Sequence, residues 1–294
     1  MRREVLVPFP PPPPVLNETP SLQDVATAVN RTASIRQLST NSASVDVLSM
    51  PNLPKLNATL ALEREQRFRL RASLPIVLGA GLDMGSNDEV FWFEVPEGMS
   101  KTLYYANHEQ YRQQLHRAIL PIDPSWLMDA LGLIEIDPST VVAGPVRRPD
   151  GKLEVRNSIS MPDGVYQRVC LIEAAAGYVS EQFLYAPGGN LIASSQATNH
   201  RFYEEHQCVL PHMVTVNLTP ASGPPLSLRI DVGSYAVNQL LSGDPQLFVM
   251  PQSAAKMVDL TTISGIVPTT AAIVAPVDYT ADRLPPIPLR GTTK

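Results

Sequence analysis

Cysteine is nearly absent, with only Cys170 and Cys208 in 294 residues. That argues against a disulfide framework of the kind that staples small secreted domains. Both cysteines sit in strand-like surroundings and read as small buried hydrophobes. A disulfide between neighbouring strands is the alternative. Charge is also scarce: 17% of residues are charged, and the net charge is -5. No basic stripe runs along any element, so nucleic acid is not an expected partner. No apolar run approaches the roughly 20 residues that a membrane-spanning helix needs. The N-terminal Met1-Arg2-Arg3 is followed by too short an apolar stretch, Val5-Leu6-Val7, to read as a secretory signal.

Catalytic and ligand-binding signatures are equally thin. There is no Gly-x-Ser-x-Gly elbow and no helical His-Glu-x-x-His pair. Gly79-Ala-Gly81-Leu-Asp-Met-Gly85 is glycine-rich, but a strand follows it where a dinucleotide fingerprint requires a helix. Asp83, Asp88 and Glu89 do not follow the alternation of a calcium loop. His206, Cys208 and His212 share one segment, yet zinc sites use tighter pairs and more ligands. The chain is therefore read as non-enzymatic, with no metal and no cofactor. An enzyme whose carboxylates meet only in the fold remains an alternative.

Apolar residues, by contrast, make up 44% of the chain, enough for a sizeable core. The 29 prolines gather at both ends and between short apolar runs. Pro8 to Pro14 should form a stiff polyproline II leader. Ser21 then caps a helix, with Asp24 in a capping-box position. Leu22, Val25, Ala26, Val29 and Ala33 fall at helical spacing, and Ile35 and Leu38 extend the apolar character, so the helix is expected to run to Leu38.

From Ser44 the period becomes two. Leu56, Ala58, Leu60 and Leu62 alternate with Asn57, Thr59, Ala61 and Glu63. Phe68, Leu70, Ala72 and Leu74 alternate with Arg67, Arg69, Arg71 and Ser73. This predicts a hairpin with one wet face. Gly79 to Glu89 is expected as a loop. Val90 to Val95 follows as an apolar strand, with Leu103 to Ala106 as its partner. Glu109 to Ile119 suits a short helix. Trp126, Leu127, Ala130 and Leu131 form one face of another, with Asp123-Pro124 at its start and Gly132 as its stop. Six further strands between Lys152 and Asn238 are separated by Gly- and Pro-rich turns, which is the pattern of an antiparallel meander. The domain plan is a leader over 1–19, one domain over 20–247, and a Pro/Ser/Thr/Ala-rich tail over 248–294, extended or disordered.

This order of elements resembles bacterial lipoproteins of the LolA/LolB-like fold, in particular the uncharacterised envelope lipoproteins of planctomycetes. The stretches that carry the resemblance are Leu60-Ala-Leu-Glu-Arg64 with Phe68-Arg-Leu-Arg-Ala-Ser73, Gly85-Ser-Asn-Asp-Glu-Val-Phe-Trp-Phe93, and Trp126-Leu127 with Ala130-Leu-Gly-Leu133. It covers about residues 20 to 245. The resemblance implies a mainly β (α+β) fold: an incomplete antiparallel barrel whose concave face is plugged by the N-terminal helix and the short helices. It implies a periplasmic or other envelope location and an acyl chain of a lipid or lipoprotein as ligand. No cysteine near the start matches the lipidated one of that family, which leaves outer-membrane attachment open. Candidate cavity residues are Leu56, Leu60, Leu62, Phe68, Leu70, Phe91, Phe93 and Trp126, each of which would serve equally well as core. A scaffold lipoprotein with the same fold and no small-molecule ligand is the second reading.

Overall fold

Ser21 accepts a hydrogen bond from the Asp24 amide, and Asp24 accepts one from the Ser21 amide, closing a capping box that starts helix α1 (Leu22–Val29). These elements belong to a computed structural model describing residues 9–73, 81–97, 100–113, 125–220, 225–252 and 256–262. The helix stops short of the expected Leu38. A 3-10 turn (Asn30–Ser34) follows, Ile35 is extended, and Leu38 lies in a strand. The reason lies in side-chain competition. The Asn30 amide is engaged by the Ile136 backbone, and Arg64 claims the carbonyls of Thr32 and Ile35.

Among the described residues fifteen strands then make one sheet. They are β1 (Gln37–Asp46), β2 (Leu56–Glu63), β3 (Arg67–Ser73), β4 (Gly81–Ser86), β5 (Val90–Glu97), β6 (Ser100–Asn107), β7 (Val141–Arg147), β8 (Leu153–Met161), β9 (Gly164–Ile172), β10 (Val179–Tyr185), β11 (Leu191–Tyr203), β12 (Cys208–Leu218), β13 (Leu226–Val232), β14 (Ala236–Val237) and β15 (Lys256–Asp259). The spatial order is β15-β6-β5-β4-β3-β2-β1-β13-β12-β11-β10-β9-β8-β7, with β14 beside β1. Every pairing is antiparallel except β15 with β6. Among the described residues β7 and β15 are the two edges of the sheet, which is an incomplete barrel.

The expected hairpin is present as β2–β3, and Val90–Val95 pairs with Leu103–Ala106 within β5–β6. Three further expectations are corrected. The glycine-rich stretch contains β4, which joins β3 to β5. Gly85 is required there because a Cβ would stand 2.2 Å from the Trp92 ring. Arg69 does not face water. Its guanidinium binds Asp83 through two contacts of 2.6 Å, donates to the carbonyls of Leu247 and Val249, and lies 5.2 Å from the Trp92 ring. Part of the segment expected as a tail belongs to the sheet: β15 lies along β6, and Leu260 is buried beside Phe91 and Tyr111. The rest of that segment beyond residue 262, and the Asp123-Pro124 helix start, lie outside the described residues. The expected helix from Glu109 is described over His108–Arg112 (α2), capped by the Asn107 side chain.

Three clusters of buried side chains fill the inner face. The largest unites β1–β3, β11–β13 and the helical segment α3, which runs Ser125–Met128 and continues through Asp129–Leu133. The second holds α1 (Val25, Ala26, Val29) against Ile134, Ile136 and the inner residues of β8–β10. Both helices thus cover the inside of the sheet.

Candidate functional site

Residues directly opposite in a sheet share a face, and the register lays the candidate residues out in rows. Phe91, Ser86, Phe68, Leu62 and Leu38 stand opposite one another from β5 to β1. Beside them run Phe93, Met84, Leu70, Leu60 and Thr40. Leu56 lies opposite Val45, which is opposite Ile230. Trp126 of α3 packs into the same cluster as Leu56, Leu60, Leu62, Phe68 and Leu70. Phe91 belongs to the adjoining cluster with Ala106 and Tyr111, where Phe93 is partly buried and stacks on Tyr104 with ring centroids 5.0 Å apart. Seven of the eight candidates are at most 5% exposed, Phe93 being the exception. Five therefore meet Trp126 of α3 in one apolar body, and two continue it towards β6.

The segment α3 is held over this surface by polar side chains at its C-terminal end. Arg64 donates from Nη2 to the carbonyls of Leu133 (3.0 Å) and Thr32 (3.1 Å), and from Nε to that of Ile35 (2.9 Å). Its other nitrogen pairs with Glu135. Asn30 behaves like one rung of a ladder: it donates to Ile136 O at 3.0 Å and accepts from Ile136 N at 2.8 Å. Arg168 donates to Asp129 at 2.8 Å and to the Glu135 carbonyl at 3.3 Å. Gly132 has φ 96°, and a Cβ there would meet Pro211 at 2.7 Å. None of these grips was read from the sequence. Arg64 lies inside a quoted motif, but a motif carries no information on which distant carbonyl a guanidinium will reach.

Where α3, α1 and the leader meet there is a cavity of about 30 Å³, lined by Pro13, Val29, Gly132, Tyr178, His200 and Cys208 among others. That is room for about one or two waters. His200 stacks on Tyr178 with ring centroids 4.0 Å apart, and burial pulls its pKa down to about 4. His212 donates or accepts at 2.9 Å with the Tyr203 hydroxyl and donates to Val232 O at 2.8 Å, and burial lowers its pKa too. The two thiols lie in different clusters, both free, and burial raises each to about 11.

One pair could suggest nucleophilic chemistry. Ser86 Oγ lies 3.0 Å from His108 Nε2. The same nitrogen is 3.0 Å from the Asn87 carbonyl, which can only accept. Nε2 therefore carries the proton in that bond and is not placed to take one from Ser86. Among the described residues no three His, Cys, Asp or Glu side chains are grouped to hold a metal ion. No described helix is long and apolar enough to cross a membrane. On the outer face, a groove of about 500 Å³ between Arg148 and Pro187 mixes the ion-paired Glu154 and Arg156 with Val169, Leu171 and Phe183.

No protein-family model and no curated protein matches the chain. Solved structures do. A putative outer membrane lipoprotein-sorting protein domain from Vibrio parahaemolyticus is 10% identical, with 74% of this chain and 94% of that chain covered and a TM-score of 0.47. A LolA superfamily protein from Nitrosomonas europaea is 9% identical, with coverage of 77% and 97% and a TM-score of 0.43. A DUF1329 family protein from Desulfovibrio piger is 11% identical, with coverage of 76% and 94% and a TM-score of 0.48.

Proposed function

We propose that this protein is a non-enzymatic binder of an acyl chain, carried by a lipid or a lipoprotein, and that the chain lies on the inner face of the half-barrel beneath α3. The observation that supports this most directly is the predominantly apolar surface from Leu56 to Phe93, covered by a separate helical segment. Apolar attraction has no direction, so a hydrocarbon chain can replace the side chains of α3 on that surface. Each buried methylene contributes about 0.8 kcal/mol, so a dozen carbons supply roughly 10 kcal/mol before ordering costs. The sheet need not open, because the grips on α3 are side-chain contacts rather than strand pairings. An envelope location goes with this reading, as the sequence resemblance implies.

The second reading, a scaffold with no small-molecule ligand, is favoured by the tight packing of the candidates under α3. Native mass spectrometry of protein purified from its own host separates the two. Binding of an acyl chain predicts a co-purifying lipid and quenching of Trp126 emission by a doxyl-labelled acyl probe. Trp92 is removed for this measurement by Trp92→Phe, since it lies by Arg69 at the site where segment 247–249 is held. A lipid-free protein whose Trp126 is not quenched at saturating probe would leave the scaffold reading.

A further inference from the structure

The inner face is not uniformly apolar: apart from the isolated Thr40 and Ser86 of the rows above, several polar side chains gather on β8–β10. Arg168 stands opposite Asn157 on β8, and Gln182 on β10 is its diagonal neighbour through Cys170. Diagonal neighbours are within reach of long side chains. Asn157 is 1% exposed and Gln182 is 2% exposed. Asn157 Oδ1, Gln182 Oε1 and Arg168 Nε are all buried without a protein partner. The remaining guanidinium nitrogens of Arg168 are directed at Asp129 of α3 and at the Glu135 carbonyl just beyond it. Arg168 and Asp129 keep 14% and 25% side-chain exposure, so this cluster sits at the rim of the apolar surface, not at its bottom. Ile159, Tyr166, Leu184 and Met161 of the adjoining strands lead from it into the main cluster.

The geometry points to Arg168, with Asn157 and Gln182 beside it, as the receptor for an anionic headgroup on the acyl ligand, a group that takes the place of Asp129 when α3 yields. This inference rests on the acyl-binding reading. A chain that occupies the inner face displaces α3 and withdraws Asp129. A largely buried arginine stripped of its carboxylate is strongly unfavourable. An uncharged chain leaves it so, whereas a carboxylate or phosphate at the head restores the charge-assisted bonds. Asn157 Oδ1 and Gln182 Oε1 are acceptors, so they suit a hydroxyl next to the charge. The ligand class is thus an anionic single-chain amphiphile: a fatty acid, or an acyl glycerophosphate whose hydroxyl would satisfy the amide oxygens.

The test uses the full chain and fluorescent cis-parinaric acid beside its methyl ester at pH 8. The acid should bind at least about tenfold more tightly than the ester, the gain of one charge-assisted contact. Arg168→Gln should abolish the preference by weakening only the acid, and Arg168→Lys should restore part of it. Asp129→Asn should strengthen the acid more than the ester, which a merely structural role would not do. Competition then separates the sources: stronger displacement by 1-oleoyl-glycerol-3-phosphate than by oleate assigns a phosphate head, and the reverse assigns a carboxylate. Equal binding of acid and ester by the unaltered protein, or an acid affinity untouched by both Arg168→Gln and Asp129→Asn, would overturn the inference and leave acyl binding standing. If neither probe binds, both readings fall. Thermal unfolding of each variant shows that it folds.

Discussion

Replacing Arg69 with alanine should cost about 3 kcal/mol of stability and detach the segment around Leu247 from the sheet. The magnitude follows from what Arg69 touches. Its side chain is 4% exposed, so its charge has little water to return to. It supplies two bonds to Asp83 and one each to the carbonyls of Leu247 and Val249. Removing one partner of a buried pair costs about 3–5 kcal/mol. The lower end applies, because Asp83 keeps Arg71 at 3.6 Å and 20% of its own exposure. The stem of Arg69 also covers Trp92, so a smaller packing loss is added. For a chain of this size the fall in Tm should be about 6–12 °C. Two assays divide the effect. Urea unfolding reads the global loss. Hydrogen exchange reads the local one, through the amides of Leu247 and Val249, which are bonded to Asp244 and Gln246 in the held segment. A double replacement, Arg69→Met with Asp83→Leu, should recover most of the global stability but not the protection of those amides, since the two carbonyls still lack donors. A loss below about 1 kcal/mol, with both amides protected as before, would show that the clasp does not carry the segment.

Stability should also depend on pH through His200. Its folded pKa, about 4, lies below the ordinary 6.5, so above pH 6.5 the group is neutral in both states and costs nothing. As pH falls from 6.5 towards 4 the unfolded chain takes up the proton first, and stability drops by up to about 3 kcal/mol. His200→Phe, which keeps the stacking on Tyr178, should flatten that slope in urea titrations; an unchanged slope would locate it elsewhere. Gly132→Ala places a Cβ against Pro211 at a positive φ and should lower stability by about 1–3 kcal/mol, read by calorimetry. Leu62→Ala, at a fully buried position, should cost about 2–5 kcal/mol in the same measurement. Both thiols should react with an aromatic disulfide reagent at pH 8 only after unfolding, because burial holds them at about 11. Rapid labelling of the folded protein would contradict this.

Period and punctuation made the hairpin β2–β3, the β5–β6 pair and most of the later meander legible from sequence alone, because one covered face imposes a period of two. Elements with both faces covered or both polar were not legible. β1 runs through Ser39, Thr40, Asn41 and Ser42, where the apolar signal lapses and hydroxyl contacts take its place. β4 consists of Gly81-Leu-Asp-Met-Gly-Ser86, in which the glycines make room for the Ala72 carbonyl and the Trp92 ring instead of marking a loop. Arg69 looked wet because alternation assigns a face, and the chain segment covering that face lies about 180 residues further on. The candidate cavity residues were found together, yet alternation could not distinguish a wall from a core, since both need the same side chains.

The distinction is carried by polar residues on the apolar face. A buried leucine gains much the same free energy against α3 as against a hydrocarbon chain, so its burial favours neither occupant. Hydrogen bonds are directional and costly to leave unmade, so they record which arrangement the chain has been built to hold. Arg64 and Asn30 spend their donors on backbone carbonyls at the end of α3 and on α1's exit, and this defines the closed arrangement. Arg168 is different in kind. Its anionic partner, Asp129, sits on the element that must move, while Asn157 and Gln182 on the strands beside it have acceptors left unmade. A residue used only for closure needs no unmet acceptors around it. If Arg168 served closure alone, there would be no preference for an anionic probe, and Asn157→Leu and Gln182→Leu would be neutral or stabilising without changing the ratio of 1-oleoyl-glycerol-3-phosphate to oleate binding. If it receives a headgroup bearing a hydroxyl, the same changes should raise stability and yet weaken 1-oleoyl-glycerol-3-phosphate relative to oleate. That opposition between stability and affinity, measured on the same two variants, is the signature that separates a site from a core.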